Sequence, residues 1–206
     1  NQSGQPNSGQ MYGNADGCSS FALTGCGPTT YSMLLQRLNE LYPADRSDAM
    51  KAGLQADSNF LKPWELGQRF VENGYRNCPT EDGSRHDVVL KTFKAYFPGW
   101  QVNHTTFMEK YGASWNKKTE ADLNDLTNTM ANHLSLQTGY AIAVVGKGSP
   151  YSMPGHFILL WGVCKNCGGT GHDYINVADS YSKTDVIMIE ARTLASQIKV
   201  ITYIGK

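Results

Sequence analysis

Apolar side chains in the first half of the chain recur every three or four residues, which is the spacing of an amphipathic helix. In residues 23–38, LTGCGPTTYSMLLQRL, this spacing begins just after Cys26, and Pro28 stands where a first helical turn tolerates proline. The pattern predicts a helix that begins within one or two residues of Cys26 and ends before Pro43. It also predicts three more helices, near residues 63–73, 85–97 and 120–136.

From Tyr140 onward the chain changes to short runs rich in β-branched and aromatic residues, separated by turn-forming residues. The runs predict five strands of an antiparallel sheet or half-barrel: YAIAVVG, HFILLWGV, YINVADS, DVIMIE and KVITYIG. Residues 191–198 predict a short helix before the last strand. Helices first and strands second, without βαβ alternation, are typical of an α+β domain.

Length and charge narrow the classes of function. The 206 residues suit one domain. Lysine plus arginine equals aspartate plus glutamate at 18 each, so the chain lacks the basic excess of a nucleic-acid-binding protein. No stretch approaches the roughly 18 apolar residues of a membrane span, and the N-terminus has no signal-peptide pattern. We therefore expect neither a nucleic-acid partner nor a membrane span.

The N-terminal end has the composition of a linker. Residues 1–15 carry no charge and are rich in Asn, Gln, Gly and Ser. We interpret residues 1–9 as a flexible tether, to another module of a longer protein, and residues 10–206 as one domain.

A candidate nucleophile lies at the start of the first predicted helix. The reactive form of a cysteine is the thiolate, which a helix N-terminus stabilises. The flanking Gly25 and Gly27 let a substrate carbonyl approach the sulfur of Cys26 and let backbone N–H groups face a developing oxyanion. A single cysteine is more often simply buried, and it is the glycine and proline context that favours catalysis here.

A base and an orienting acid follow on neighbouring predicted strands. His156 follows a glycine at the start of one strand, and Asp179 ends the next. An antiparallel pair would bring both side chains to one edge of the sheet, in the downstream order described for papain-type enzymes. The alternatives are an ordinary strand histidine and an ordinary turn acid, with Asp173 and Asp185 as the competing carboxylates.

Taken together, GCGPTT with its Leu-rich helix, GHFILLWGV and YINVADS resemble a known family. They are similar to papain-like cysteine peptidases related to bacteriocin-leader-processing peptidases, in the Gly-Cys-Gly-Pro-Thr branch that includes bacterial and phage cell-wall hydrolases. The resemblance covers about residues 10–204, although residues 43–138 match only as generic helices. The sequence departs from the family pattern at Ser180, where a proline is usual, and in the insertion CKNCGGTGH.

The resemblance implies a papain-like fold in which the nucleophile helix packs on a C-terminal antiparallel sheet. It implies Cys26 as nucleophile, His156 as general base and acid, Asp179 as the residue that orients the imidazole, and Gln10 as the oxyanion-hole glutamine. Such a hydrolase needs no cofactor. The resemblance implies that the protein is a cell-wall lysin, which cleaves peptidoglycan peptides as an endopeptidase or amidase. It also implies a secreted or virion-associated location. The alternatives are a cysteine protease for proteins or leader peptides, and an inactive binding module of the same fold.

The inserted segment suggests a second feature, outside the family pattern. Cys164, Cys167 and His172 have a spacing found in zinc sites, but a structural zinc needs four ligands, and the chain has no second CxxC. The alternatives are two surface thiols at a hairpin tip and a local disulfide.

Overall fold

The computed structural model describes residues 25–76, 84–146, 155–180 and 186–206. It contains helices in the N-terminal half and a six-stranded antiparallel sheet toward the C-terminus, which confirms the predicted α+β class. The chain divides into two compact units. Of the described residues, the helical unit holds those from Gly25 to Trp100 and Ser180, and the sheet unit holds the others from Gln101 onward.

The helical unit contains four α-helices within its described residues. They are α1 (Cys26–Leu41), α2 (Asp48–Ala56), α3 (Pro63–Glu72) and α4 (Val88–Tyr96). The predicted helix at Cys26 is confirmed, since it begins at that residue and ends before Pro43. Helix α2 was not predicted; it is nine residues long, and Met50 is its one buried side chain.

Helix α1 forms the centre of this unit. Its buried face packs against α3 and carries the apolar side chains Tyr31, Leu34, Leu35 and Leu38. The same helix also has a buried polar contact: Ser32 Oγ donates a hydrogen bond to the backbone oxygen of Leu61 at 2.6 Å. Helix α4 adds Phe93, whose ring stacks on Phe97.

In the described part of the sheet unit there are six strands and three α-helices. Its elements are β1 (Gln101–Thr106), α5 (Phe107–Tyr111), α6 (Glu120–Leu134), β2 (Tyr140–Val145), β3 (His156–Cys164), β4 (Tyr174–Asp179), β5 (Ile187–Glu190), α7 (Ala191–Gln197) and β6 (Ile198–Gly205). The five predicted strands and the short helix before the last strand are confirmed. No helix in the described ranges is long and apolar enough to cross a membrane.

The strands lie in the order β1-β6-β2-β3-β4-β5, and all neighbouring strands are antiparallel. One face of the sheet packs against α6 and α7. Alternate residues of the strands supply this face, among them Ala143 on β2, Ile158 on β3 and Val177 on β4. Because side chains alternate between faces, the register of each strand pair decides which residues meet on this side.

Candidate active site

Cys26 is the first residue of α1. Gly25 is the N-cap residue and makes no side-chain capping hydrogen bond, while its backbone oxygen accepts the N–H of Thr29 at 3.0 Å. The thiol of Cys26 is half-buried and is the free cysteine of the described residues. The first amides of a helix have no carbonyl partner within it and carry the positive end of the helix dipole, so they are suited to donate to a negatively charged group at this end of α1.

His156 and Asp179 form a hydrogen-bonded pair in the sheet unit. The Nε2 atom of His156 lies 2.6 Å from Oδ1 of Asp179, and the His156 side chain is only 4% exposed. A carboxylate is only an acceptor, so Nε2 carries the hydrogen and donates it. In the neutral imidazole, Nδ1 is then the basic nitrogen. The carboxylate holds this tautomer and stabilises the imidazolium formed when Nδ1 takes up a proton.

Strand register brings these two side chains together. Strands β3 and β4 are antiparallel, and Ile158 lies opposite Asp179. His156, two residues before Ile158, is therefore the diagonal neighbour of Asp179 on the same face of the sheet. A shift of one residue in this register would move one of the side chains to the other face.

The backbone just before His156 requires a glycine. Gly155 has a φ of +75°, a conformation that side-chain-bearing residues rarely adopt. Its N–H donates to the backbone oxygen of Val145 at 3.1 Å, and Val145 is the β2 partner of His156. Gly155 therefore sets the point at which the chain enters β3. The Gly-His dipeptide is the sequence signal for this arrangement.

An aromatic and cationic cluster borders the same end of β2. A Cβ atom added to Gly146 would collide with the ring of Trp115, so the indole packs directly on the glycine. The ammonium groups of Lys199 and Lys118 lie 5.0 and 5.5 Å from the centre of that ring. Burial lowers the pKa of Lys118 to about 8. No sequence signal predicted this cluster, because Trp115, Gly146 and Lys199 come from three separate segments of the chain.

Cys164 and Cys167 are joined by a disulfide bond at the end of the β3–β4 hairpin. Both sulfurs are bonded to each other, so the zinc alternative for Cys164, Cys167 and His172 is not what the structure shows. His172 is exposed, with Nδ1 at 3.5 Å from Oε1 of Glu190. The described ranges contain no group of three or more His, Cys, Asp or Glu side chains that could hold a metal ion.

The predicted site residues thus fall into three groups. His156 and Asp179 are in direct contact. Cys26 belongs to the helical unit and stands at the helix start where it was expected. Gln10 and the tether at residues 1–9 lie outside the described residues.

No protein-family model matches the sequence, and no curated protein matches it. Among solved structures, the Pseudomonas avirulence protein AvrPphB is similar at 10% sequence identity and a TM-score of 0.33, with 88% of this chain and 92% of that protein covered. A likeness at this level carries no argument about fold or function. The description of the fold and the proposal for its function are therefore based on the residues of this chain alone.

Proposed function

We propose that the chain is a papain-like cysteine peptidase or amidase with Cys26 as nucleophile, His156 as base and acid, and Asp179 as the orienting carboxylate. The observation that carries this proposal is the buried His156–Asp179 hydrogen bond of 2.6 Å, which leaves Nδ1 as the basic nitrogen. The position of Cys26 at the first residue of α1 supports it independently.

The proposed reaction has two stages. In the first, Nδ1 of His156 takes the proton of Cys26, the thiolate adds to a substrate carbonyl carbon, and the amine departs with the proton from the imidazolium. In the second, His156 removes a proton from water, whose oxygen attacks the thioester. The carboxylic acid leaves, and the thiol regains its proton. Backbone N–H groups near Cys26, together with Gln10, are the proposed donors to the oxyanion.

The favoured substrate is a stem or cross-bridge peptide of peptidoglycan. This choice rests on the resemblance of the Gly-Cys-Gly-Pro-Thr segment to a branch that includes cell-wall hydrolases. A secreted or virion-associated location, with residues 1–9 as a tether to a further module, belongs to the same proposal. The Cys164–Cys167 disulfide supports an oxidising environment, since such bonds persist mainly outside the cytosol. The second candidate is a peptidase for proteins or leader peptides.

The test is hydrolysis of purified peptidoglycan by the wild-type chain and by Cys26→Ala, followed by turbidity and by mass spectrometry of the released fragments. We expect new amino termini with the wild type and a loss of at least about 10⁴-fold with the variant, because a nucleophile has no substitute in this chemistry. Release by Cys26→Ala at the wild-type rate would overturn the proposal. Cleavage of casein or of a leader peptide, with the wall left intact, would favour the second candidate.

A further inference from the structure

Thr29 lies one helical turn after Cys26 and has an unusual hydroxyl. The residue is 2% exposed, and its Oγ1 has no hydrogen-bond partner within the part of the chain that the structure describes. A buried hydroxyl without a partner loses its bonds to water and gains nothing in return, so such groups are rare in folded proteins. Because Thr29 lies in the first turn of α1, close to Cys26, its unpaired hydroxyl has a functional interpretation.

Two other threonines in the described helices satisfy their hydroxyls locally. Thr92 donates to the backbone oxygen of Val88 at 2.7 Å, and Thr127 donates to that of Leu123 at 2.6 Å. Both are the common bond to the carbonyl four residues earlier. Thr29 does not make the equivalent bond to Gly25, whose oxygen accepts the backbone N–H of Thr29. Its hydroxyl is therefore available for another acceptor.

Helix geometry places Thr29 on the same face of α1 as the nucleophile. Side chains three residues apart lie on the same face of a helix, with about 5–6 Å between their Cβ atoms. Each Cα–Cβ bond is tilted toward the helix N-terminus, so Thr29 points back over the turn that Cys26 begins. Threonine uses more than one χ1 rotamer in helices, which lets the hydroxyl turn toward the sulfur. A neutral thiol is a weak acceptor, whereas an ionised group forms a stronger bond.

We propose that Thr29 is a positioning residue for the nucleophile, and that its hydroxyl donates a hydrogen bond to the Cys26 thiolate. The bond stabilises the charged sulfur and limits it to one orientation. Thr29 keeps its own proton, so it is not the base. Under the proposed function, the proton lost by Cys26 goes to His156, and the catalytic meaning of Thr29 rests on that function.

The test is the pH dependence of iodoacetamide alkylation at Cys26, quantified by mass spectrometry of the peptide that contains this residue. Thr29→Val removes the hydroxyl and keeps the shape of the side chain. We expect it to move the midpoint of the rate profile up by about one pH unit, since a hydrogen bond to a charged group is lost. Thr29→Ser should keep the wild-type midpoint. The matched control Thr127→Val, which removes another helix hydroxyl, should also keep it.

An unchanged midpoint in Thr29→Val, or an equal shift in Thr29→Ser, would overturn the proposal. If Thr29→Val fails to fold, Thr29→Ser and Thr29→Ala differ by the hydroxyl alone and give the same comparison. The outcome is separate from that of the proposed function. Hydrolysis that survives in Cys26→Ala contradicts the peptidase, whereas an unmoved alkylation profile contradicts only the role of Thr29.

Discussion

In the helical unit the setting of Cys26 is established by its nearest neighbours along the chain, whereas in the sheet unit the His156–Asp179 pair is assembled across 23 residues. A glycine cap, a proline and the start of α1 suffice to place the thiol. The imidazole and the carboxylate meet only because β3 and β4 pair in one register. The first arrangement is therefore local, and the second depends on the whole sheet.

Among the variants of the sheet unit, the largest expected effect comes from breaking the His156–Asp179 pair. His156→Ala and Asp179→Asn should each lower kcat/KM by about 10²- to 10⁴-fold, because the first removes the base and the second removes the negative charge that stabilises the imidazolium. The measurement is hydrolysis kinetics with the substrate identified for the wild type.

Two matched controls sharpen this prediction. His172→Ala removes an exposed histidine that also faces a carboxylate, and Asp173→Asn changes an acid on the same hairpin, whose Oδ1 accepts the N–H of Asn166. Both should keep wild-type kinetics. Equal losses in the controls would show that the effect belongs to the hairpin as a whole.

The same contrast explains what could be predicted from the sequence. Helix α1 was predictable because its apolar spacing and its proline act within a few residues. Strand β1 was not, since Gln101–Thr106 is mostly polar and is a strand through its pairing with β6. Leu90 on α4 is 39% exposed although its segment has helical apolar spacing, because periodicity alone does not decide which part of an apolar face the neighbouring elements cover.

The candidate site follows the same division. The sequence suggested His156 and Asp179 from their places at strand ends, and the register that joins them became visible only with the fold. Trp115 against Gly146 had no sequence signal, since the two residues meet through tertiary packing. The roles of Cys26, His156, Asp179 and Gln10 in catalysis stay predictions.

A smaller effect is expected from Gly146→Ala, which tests how closely the sheet unit is packed near His156. The new methyl group would collide with Trp115, and overpacking of this kind lowers the free energy of unfolding by about 1–3 kcal/mol. Gly99→Ala is the control, because a Cβ there meets nothing within 4 Å. It should change stability by at most about 1 kcal/mol. Urea unfolding measures both, and equal losses would contradict the tight packing at Gly146.

The last expected effect is confined to alkaline pH, where the stability of the fold depends on the protonation of Lys118. Burial lowers its pKa from 10.5 to about 8, so between these values the unfolded chain holds a proton that the folded chain has released. Stability contributed by this group therefore rises as the pH increases through that window. Lys118→Met lacks this contribution. The difference in unfolding free energy, wild type minus variant, should grow between about pH 7 and about pH 10, and a constant difference in urea unfolding would contradict it.

The strand order also has a consequence for biosynthesis. Strand β6, Ile198–Gly205, lies inside the sheet, where it pairs with β1 on one side and β2 on the other. Strand β1 is synthesised almost a hundred residues earlier, and its one neighbour among the described strands is β6. During translation, β1 cannot pair with β6 until the ribosome has released β6. The backbone groups of β1 that bond β6 lack that partner until then. Long-range pairing of this kind folds slowly and leaves nascent chains open to aggregation.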